Sequence, residues 1–265
     1  MAPKTTDWDG PAYDRVSTPQ QEWAKKVLER LPLEGDETVL DAGCGSGRVT
    51  RMLLDRLPRG RVVGVDGSPS MIETARESLG DEDRVSLIFS DLLELSPALL
   101  SREAGLSEVD DVFSNATFHW ICDHQALFRA LRSVMMPGGR LVAQCGGRGN
   151  VAEWVAAIRK VAARDPYAQH VGEFRPWNFY GPEETTERLE KAGFEQVHCE
   201  LVEVEPVRPE EPRAFVRVVG LSAHRDRLPE ELHEPFTDDV LGALEQPLQL
   251  TYVRLNMDAV AAEGA

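Results

Sequence analysis

Short runs rich in valine, isoleucine and leucine recur through the first half of the chain, at 37–43 (ETVLDAG), 61–66 (RVVGVD), 84–91 (RVSLIFSD), 109–115 (VDDVFSN) and 139–145 (GRLVAQC). They are apolar at successive rather than alternate positions, which predicts strands buried on both faces. The stretches between them are long enough for crossover helices. One of these starts at Ser68-Pro69, where a serine N-cap and an N1 proline precede Met71, Ile72, Ala75 and Leu79 at helical spacing, and Gly80 closes it. Strands alternating with helices in this way predict an α/β fold built on a doubly wound sheet.

Beyond Gly149 the pattern changes. Residues 150–165 read as a helix, 173–184 as an aromatic loop punctuated by prolines, and 185–194 as another helix. Apolar residues then predict two late strands, at 194–206 and 248–257, separated by two helices within 209–246. The expected organisation is a single domain over 1–265. It comprises N-terminal lid helices at 1–36, a ligand-binding core at 37–146, cap insertions at 147–193 and 207–246, and final strands at 194–206 and 247–257.

The 265 residues are 42% hydrophobic and 28% charged, which suits a packed globular core. The net charge of −16 repels phosphate backbones and anionic lipid, so neither nucleic acid nor a membrane is expected as a partner. No apolar run has the length of a membrane span and none follows Lys4, so a cytoplasmic location is expected. Cys44, Cys122, Cys145 and Cys199 are spaced like neither a metal knuckle nor a disulfide framework, and read as reduced thiols, most of them buried.

Candidate chemistry concentrates after the first strand, where Asp41 precedes Gly43, Gly45 and Gly47. Glycines at the carboxyl end of a strand let the main chain approach a ligand closely. The second strand ends on Asp66, nineteen residues beyond Gly47, where an acid accepts both hydroxyls of a ribose. Together these point to a ligand containing a nucleoside. The spacing G-x-G-x-G differs from the dinucleotide fingerprint, and Asp41 would face a pyrophosphate badly but an ammonium group well. A cationic ligand is therefore favoured over a phosphorylated one. His119 and His124 lack the helical spacing of a ligand pair, and no metal is expected.

With Val39–Gly47, Asp66, Ser90-Asp91-Leu92, Ser114-Asn115-Ala116, Phe118-His119-Trp120 and Met136-Pro137-Gly138-Gly139 in that order, the chain resembles the class I S-adenosylmethionine-dependent methyltransferases, and within them the trans-aconitate methyltransferase-like small-molecule group. The match is good over roughly residues 8–146 and looser beyond. It implies a Rossmann-like sheet of seven strands in the order 3-2-1-4-5-7-6, mostly parallel with the last strand antiparallel, helices on both faces and a helical cap. The implied cofactor is S-adenosyl-L-methionine, with S-adenosyl-L-homocysteine as product.

The resemblance places Asp41 and Gly43 around the methionine amine, Asp66 at the ribose, Asp91 and Leu92 at the adenine edge and Asn115 beside the sulfonium, with Cys44, Gly45, Gly67, Met71 and Ser90 as further cofactor-binding candidates. The segment AYDRVSTPQQEW looks like the group's lid helix, which brings Tyr13 and Gln20 near the methionine end. His119 becomes the catalytic candidate, either a hydrogen-bond donor to a carboxylate or a general base. Trp120, Arg148, Trp177 and Tyr180 become substrate-binding candidates, because a mixed aromatic and basic pocket suits a small acid with an apolar body.

The expected reaction is O-methylation of a small carboxylic acid. The alternative is an N-, O- or C-methyltransferase of secondary metabolism with a hydroxyl, amine or enol acceptor. A nucleotide-binding oxidoreductase and a non-catalytic sensor are the readings from other classes.

Overall fold

The computed structural model describes residues 18–263. Its centre is a single seven-stranded sheet in the order β3-β2-β1-β4-β5-β7-β6, as the resemblance implies. The strands are β1 (Thr38–Ala42), β2 (Arg61–Asp66), β3 (Val85–Phe89), β4 (Asp111–Asn115), β5 (Arg140–Gly146), β6 (Phe194–Glu203) and β7 (Val253–Ala261). β1 to β5 pair in parallel, and β7 runs antiparallel between β5 and β6.

Because side chains alternate across a strand, the sheet separates two cores. Leu40, Ala42, Val63, Val65 and Val112 face one layer, filled by Leu127, Phe128 and Leu131 of helix His124–Ser133 and by Leu189 of helix Pro182–Lys191. Val39, Val62 and Phe113 face the other, against Val27 and Leu28 of helix Thr18–Leu28, Leu53 and Leu54 of Arg48–Arg56, and Ala75 and Leu79 of Pro69–Leu79. The last of these begins as its sequence predicts: Ser68 Oγ accepts from Met71 N at 3.3 Å and Pro69 opens the first turn.

A third apolar cluster forms the cap. Trp154, Ile158 and Val161 of helix Ala152–Ala162 pack with Phe215, Val216 and Leu221 and with Phe236 and Val240 of helix His233–Gly242. Between Pro212 and Arg225 the chain makes two four-residue helices joined by a π turn, Val216–Gly220, rather than one regular helix.

Three boundaries differ from the sequence reading. The last strand is Val253–Ala261, not 247–257; Leu250 makes only an isolated bridge to Val207. The polar side chains of Asn256 and Asp258 fit within this strand because Gln144, Glu200 and Arg30 bond to them. The helix expected at 185–194 runs from Pro182 to Lys191, because the side chain of Glu184 accepts from Gly181 N at 2.8 Å and Pro182 suits the first turn. That helix buries Leu189 against the sheet, so this part of 147–193 packs with the core rather than with the cap.

Candidate functional site

The cradle forms where β1 leaves the sheet. Gly43 N and Cys44 N both donate to Val65 O, at 2.8 and 3.1 Å, so the glycine turn folds over the end of β2. Gly43 has φ +83°, and a Cβ there would lie 2.1 Å from Thr117 Oγ1. Gly45 has φ +54° and nothing within 4 Å of where its Cβ would point, so its main chain faces open space beside Asp66.

Asp66 Oδ2 accepts from Gly45 N and Oδ1 from Ser68 N, each at 2.9 Å. A carboxylate has about four lone-pair sites, so acceptor capacity remains beyond these bonds. Burial raises its pKa, and the main-chain donors of Ser68, Gly45 and Gly67 oppose that rise. An acid-lined gap beside open main chain fits a vicinal diol, so the residues present fit the ribose expected from sequence.

The remaining cofactor candidates surround this gap unequally. Asp41 is 1% exposed and accepts from Thr50 Oγ1 at 2.7 Å. Burial pushes its pKa up to about 7, opposed by the Thr50 hydrogen bond and helped by the charge of Asp66. Cys44 is buried, and burial followed by the charges of Asp66 and Asp41 keeps its thiol protonated. Ser90 N donates to Asp66 O at 3.1 Å, which brings the Ser90-Asp91 segment beside the second strand's end. Asp91 accepts from Leu93 N at 2.9 Å and caps a short 3₁₀ turn, while Leu92 and Met71 bury their side chains.

Asn115 ends β4, and Ser114 Oγ donates to Ala42 O at 2.6 Å to lock β4 against β1. Ala116 follows with φ +60°, a strained backbone for a residue with a Cβ. Gln20 falls in the helix Thr18–Leu28, and Tyr13 lies outside the described residues.

His119 occupies the next turn, Phe118–Trp120, and is 8% exposed. Its Nδ1 accepts from Gly146 N at 3.2 Å, so the neutral ring carries its proton on Nε2. Its carbonyl accepts from Asn178 N at 2.8 Å, and its ring meets Trp120 at 5.3 Å and Phe179 at 5.8 Å. Burial, then the charges of Arg254 and His124, hold its pKa well below the usual imidazole value. His124 Nε2 donates to Phe118 O at 2.8 Å and pins the turn from behind; burial pushes that ring down to about 4 despite the bond.

The substrate candidates separate. Trp177 stands at the centre of an aromatic wall, 5.8 Å from Trp120, 6.5 Å from Trp154, 5.9 Å from His224 and stacked on Phe179 at 5.9 Å. Tyr180 packs edge-on to His124 at 4.6 Å, with Arg188 3.8 Å over its ring. Arg148 does not join the wall: its side chain is 56% exposed and pairs with Glu183 and Glu184. The basic group the sequence reading missed is Arg254, 2% exposed near the start of β7, with Nε donating to Gln144 Oε1 at 3.2 Å and the guanidinium 4.8 Å over Trp23. A lone arginine inside the apolar run TYVRLNM was its available signal.

Among the described residues no group of His, Cys, Asp and Glu is arranged to hold a metal, and no helix is long and apolar enough to cross a membrane.

A sequence-family profile described as a methyltransferase domain matches residues 40–141, which run from β1 into β5. An uncharacterized methyltransferase of Schizosaccharomyces pombe is 34% identical over 201 residues, covering 74% of this chain and 72% of that protein. A trans-aconitate 2-methyltransferase of Azoarcus sp. is 36% identical over 137 residues, 52% of this chain and 50% of that protein; the match thus spans about half of each. Among solved structures, Haemonchus contortus phosphoethanolamine N-methyltransferase 2, in complex with phosphomonomethylethanolamine and S-adenosylhomocysteine, superposes with a TM-score of 0.61. It has 19% identity and covers 96% of this chain and 57% of that one, so it shares the fold.

Proposed function

The chain belongs to the S-adenosylmethionine-dependent methyltransferases, and from that premise we propose that it O-methylates a small carboxylic acid. One observation carries the choice of acceptor. Gly146 N–H occupies His119 Nδ1, which leaves the ring a neutral donor through Nε2 and removes its capacity to take a proton at neutral pH. An alcohol or amine acceptor benefits from a base with a pKa near 7; a carboxylate is already ionised and needs only donors and orientation. The positive charge of buried Arg254 further disfavours protonation of that ring.

When bound, S-adenosylmethionine supplies a methyl group on positively charged sulfur, which passes to an acceptor oxygen as the electron pair of the C–S bond leaves on sulfur. Asp66 would hold the ribose hydroxyls, the main chain at Gly43 to Gly45 and the buried Asp41 would border the methionine end, and the Ser90 to Leu92 segment would border the adenine. Asn115 and His119 follow β4 into the region between cofactor and acceptor. The aromatic wall of Trp120, Trp177 and Phe179 excludes water and takes up the acceptor's apolar body. The partial match to a trans-aconitate enzyme supports an acid acceptor. The net charge of −16 and the aromatic wall favour a less charged acid than a tricarboxylate.

Incubation with methyl-labelled S-adenosylmethionine and a panel of acids, phenols and amines tests this reading. A methyl ester that releases labelled methanol in mild alkali is the expected product. Label appearing only in alkali-stable ethers or amines would replace the reading with its alternative.

A further inference from the structure

Phe174 gathers three nitrogen-bearing side chains around itself. The guanidinium of Arg227 lies 4.0 Å over the centre of its ring. Arg175 Nη1 donates to its carbonyl oxygen at 2.8 Å and to Gly172 O at 3.1 Å. His224 packs edge-on to the same ring at 5.2 Å, and Arg227 N donates to His224 O at 3.1 Å, so one turn of chain presents both groups to Phe174.

Neither arginine is used up by these contacts. Stacking occupies the face of the Arg227 guanidinium and leaves the N–H donors at its edge. Arg175 commits Nη1 to loop carbonyls and keeps Nε and Nη2, an edge that can meet a carboxylate through two parallel bonds. Glu173 and Asp226 are near them in sequence, yet among the described residues no carboxylate pairs with either arginine. His224 is 1% exposed and its Nδ1 has no hydrogen-bond partner; burial, then the charges of Arg175 and Arg227, push its pKa down to about 4. Two cations without a counter-ion and a buried nitrogen without a partner leave free energy for an anion to recover. The cluster also ends the aromatic wall. Ring contacts run from His224 to Trp177 at 5.9 Å, from Trp177 to Phe179 at 5.9 Å and from Phe179 to His119 at 5.8 Å.

We propose that Arg227 and Arg175, set about Phe174 at the far end of the wall from His119, form a subsite for a second carboxylate of the acceptor. The preferred substrate is then a dicarboxylic acid whose apolar body lies along Trp177 and Phe179, with the reacting acid group at His119 and the other at the arginines. The proposal deepens the acid-acceptor reading and rests on it for the reaction, although the binding of a diacid can be measured without turnover.

The test is calorimetry on enzyme saturated with S-adenosylhomocysteine, with hexanedioic, octanedioic and decanedioic acids and the half-amide of each as probes. The wild type is expected to bind at least one diacid about tenfold or more tightly than its half-amide. Arg227→Gln and Arg175→Gln should each reduce that preference and the double variant should abolish it, while S-adenosylhomocysteine affinity stays within about twofold. Arg129→Gln removes the same charge from an exposed position on helix His124–Ser133 and should leave the preference unchanged.

No binding of any diacid, equal binding of diacid and half-amide, a preference that survives in the double variant, or an equal loss in Arg129→Gln would overturn the subsite. Arg175 and Arg227 are exposed, and retained S-adenosylhomocysteine affinity certifies each variant's fold. If a variant loses that affinity, the Nε–H signals of nitrogen-15-labelled arginines in the wild type decide: two should move with the diacid and not with its half-amide, and none moving overturns the proposal. A diacid preference in an enzyme that esterifies no acid in the label-transfer panel would sink the O-methylation reading alone. Esterified monoacids without a diacid preference would sink the subsite alone.

Discussion

At the scale of single residues, the site is built from hydrogen bonds whose direction is fixed. Asp66 is held by main-chain donors, Gly45 N and Ser68 N among them, and keeps acceptor capacity beyond them. Asp66→Ala should weaken S-adenosylmethionine binding by about 2–3 kcal/mol, measured by calorimetry, because two bonds to a charged group disappear; unchanged affinity would remove it from the site.

Asp41 carries a pH signature. Its pKa is raised by burial to about 7 in the folded chain, so its contribution to stability is complete below the ordinary carboxylate range and is lost as pH rises toward 7. Asp41→Asn keeps an acceptor for Thr50 and should stabilise the ligand-free protein at pH 8 by up to about 4 kcal/mol, an effect fading toward pH 4. Denaturant melts across that range test it, and a variant less stable than wild type at pH 8 contradicts it.

Asp66, Gly43 and Gly45 were legible in sequence because one strand end and one spacing bring them together. Arg148 was misleading, since nothing in its neighbours shows that Glu183 and Glu184 would claim it. Arg254 was overlooked because Gln144 and Trp23, which its guanidinium meets, lie far away in the chain.

At the scale of elements, the parallel strands declare themselves by continuous apolar runs, and their helices by caps and spacing. The cap does so only in part: the helix Ala152–Ala162 falls within the predicted 150–165, whereas the four-residue helices and loop aromatics packed against it are too short to show a period. The helix Pro182–Lys191 falls in the predicted cap insertion because its sequence does not show which core it serves; Leu189, fully buried among sheet residues, does. Leu189→Ala and Phe236→Ala separate the two cores. Each should cost about 2–5 kcal/mol of stability through a lost apolar side chain and its cavity. Only Phe236→Ala, which loosens the cluster carrying Trp154 and Trp177, should also raise the acceptor KM. Denaturant unfolding with acceptor kinetics checks both, and an equal rise in KM for Leu189→Ala would deny the division.

At the scale of the whole molecule, a chain of net charge −16 would have to capture an anionic acceptor against its own field. Long-range repulsion of an anionic acceptor is screened over about 10 Å at 0.1 M salt, whereas a short hydrogen bond to a buried donor is screened much less. The kcat/KM for an acid should therefore rise between about 20 and 150 mM salt, and a fall would mean that local attraction dominates capture.

The central claim of the proposed function is that an acceptor already ionised is held by neutral His119, so that transfer needs no base. It is tested most directly by the pH dependence of kcat for a methylated acid, in wild type and in His119→Gln. The account expects a flat kcat between about pH 6 and 9, with His119→Gln raising the acceptor KM by roughly 10- to 150-fold and changing kcat only a few-fold. A rising limb centred between about pH 6 and 8 that disappears in His119→Gln, with kcat lowered roughly 100-fold or more, would make His119 a general base and contradict it.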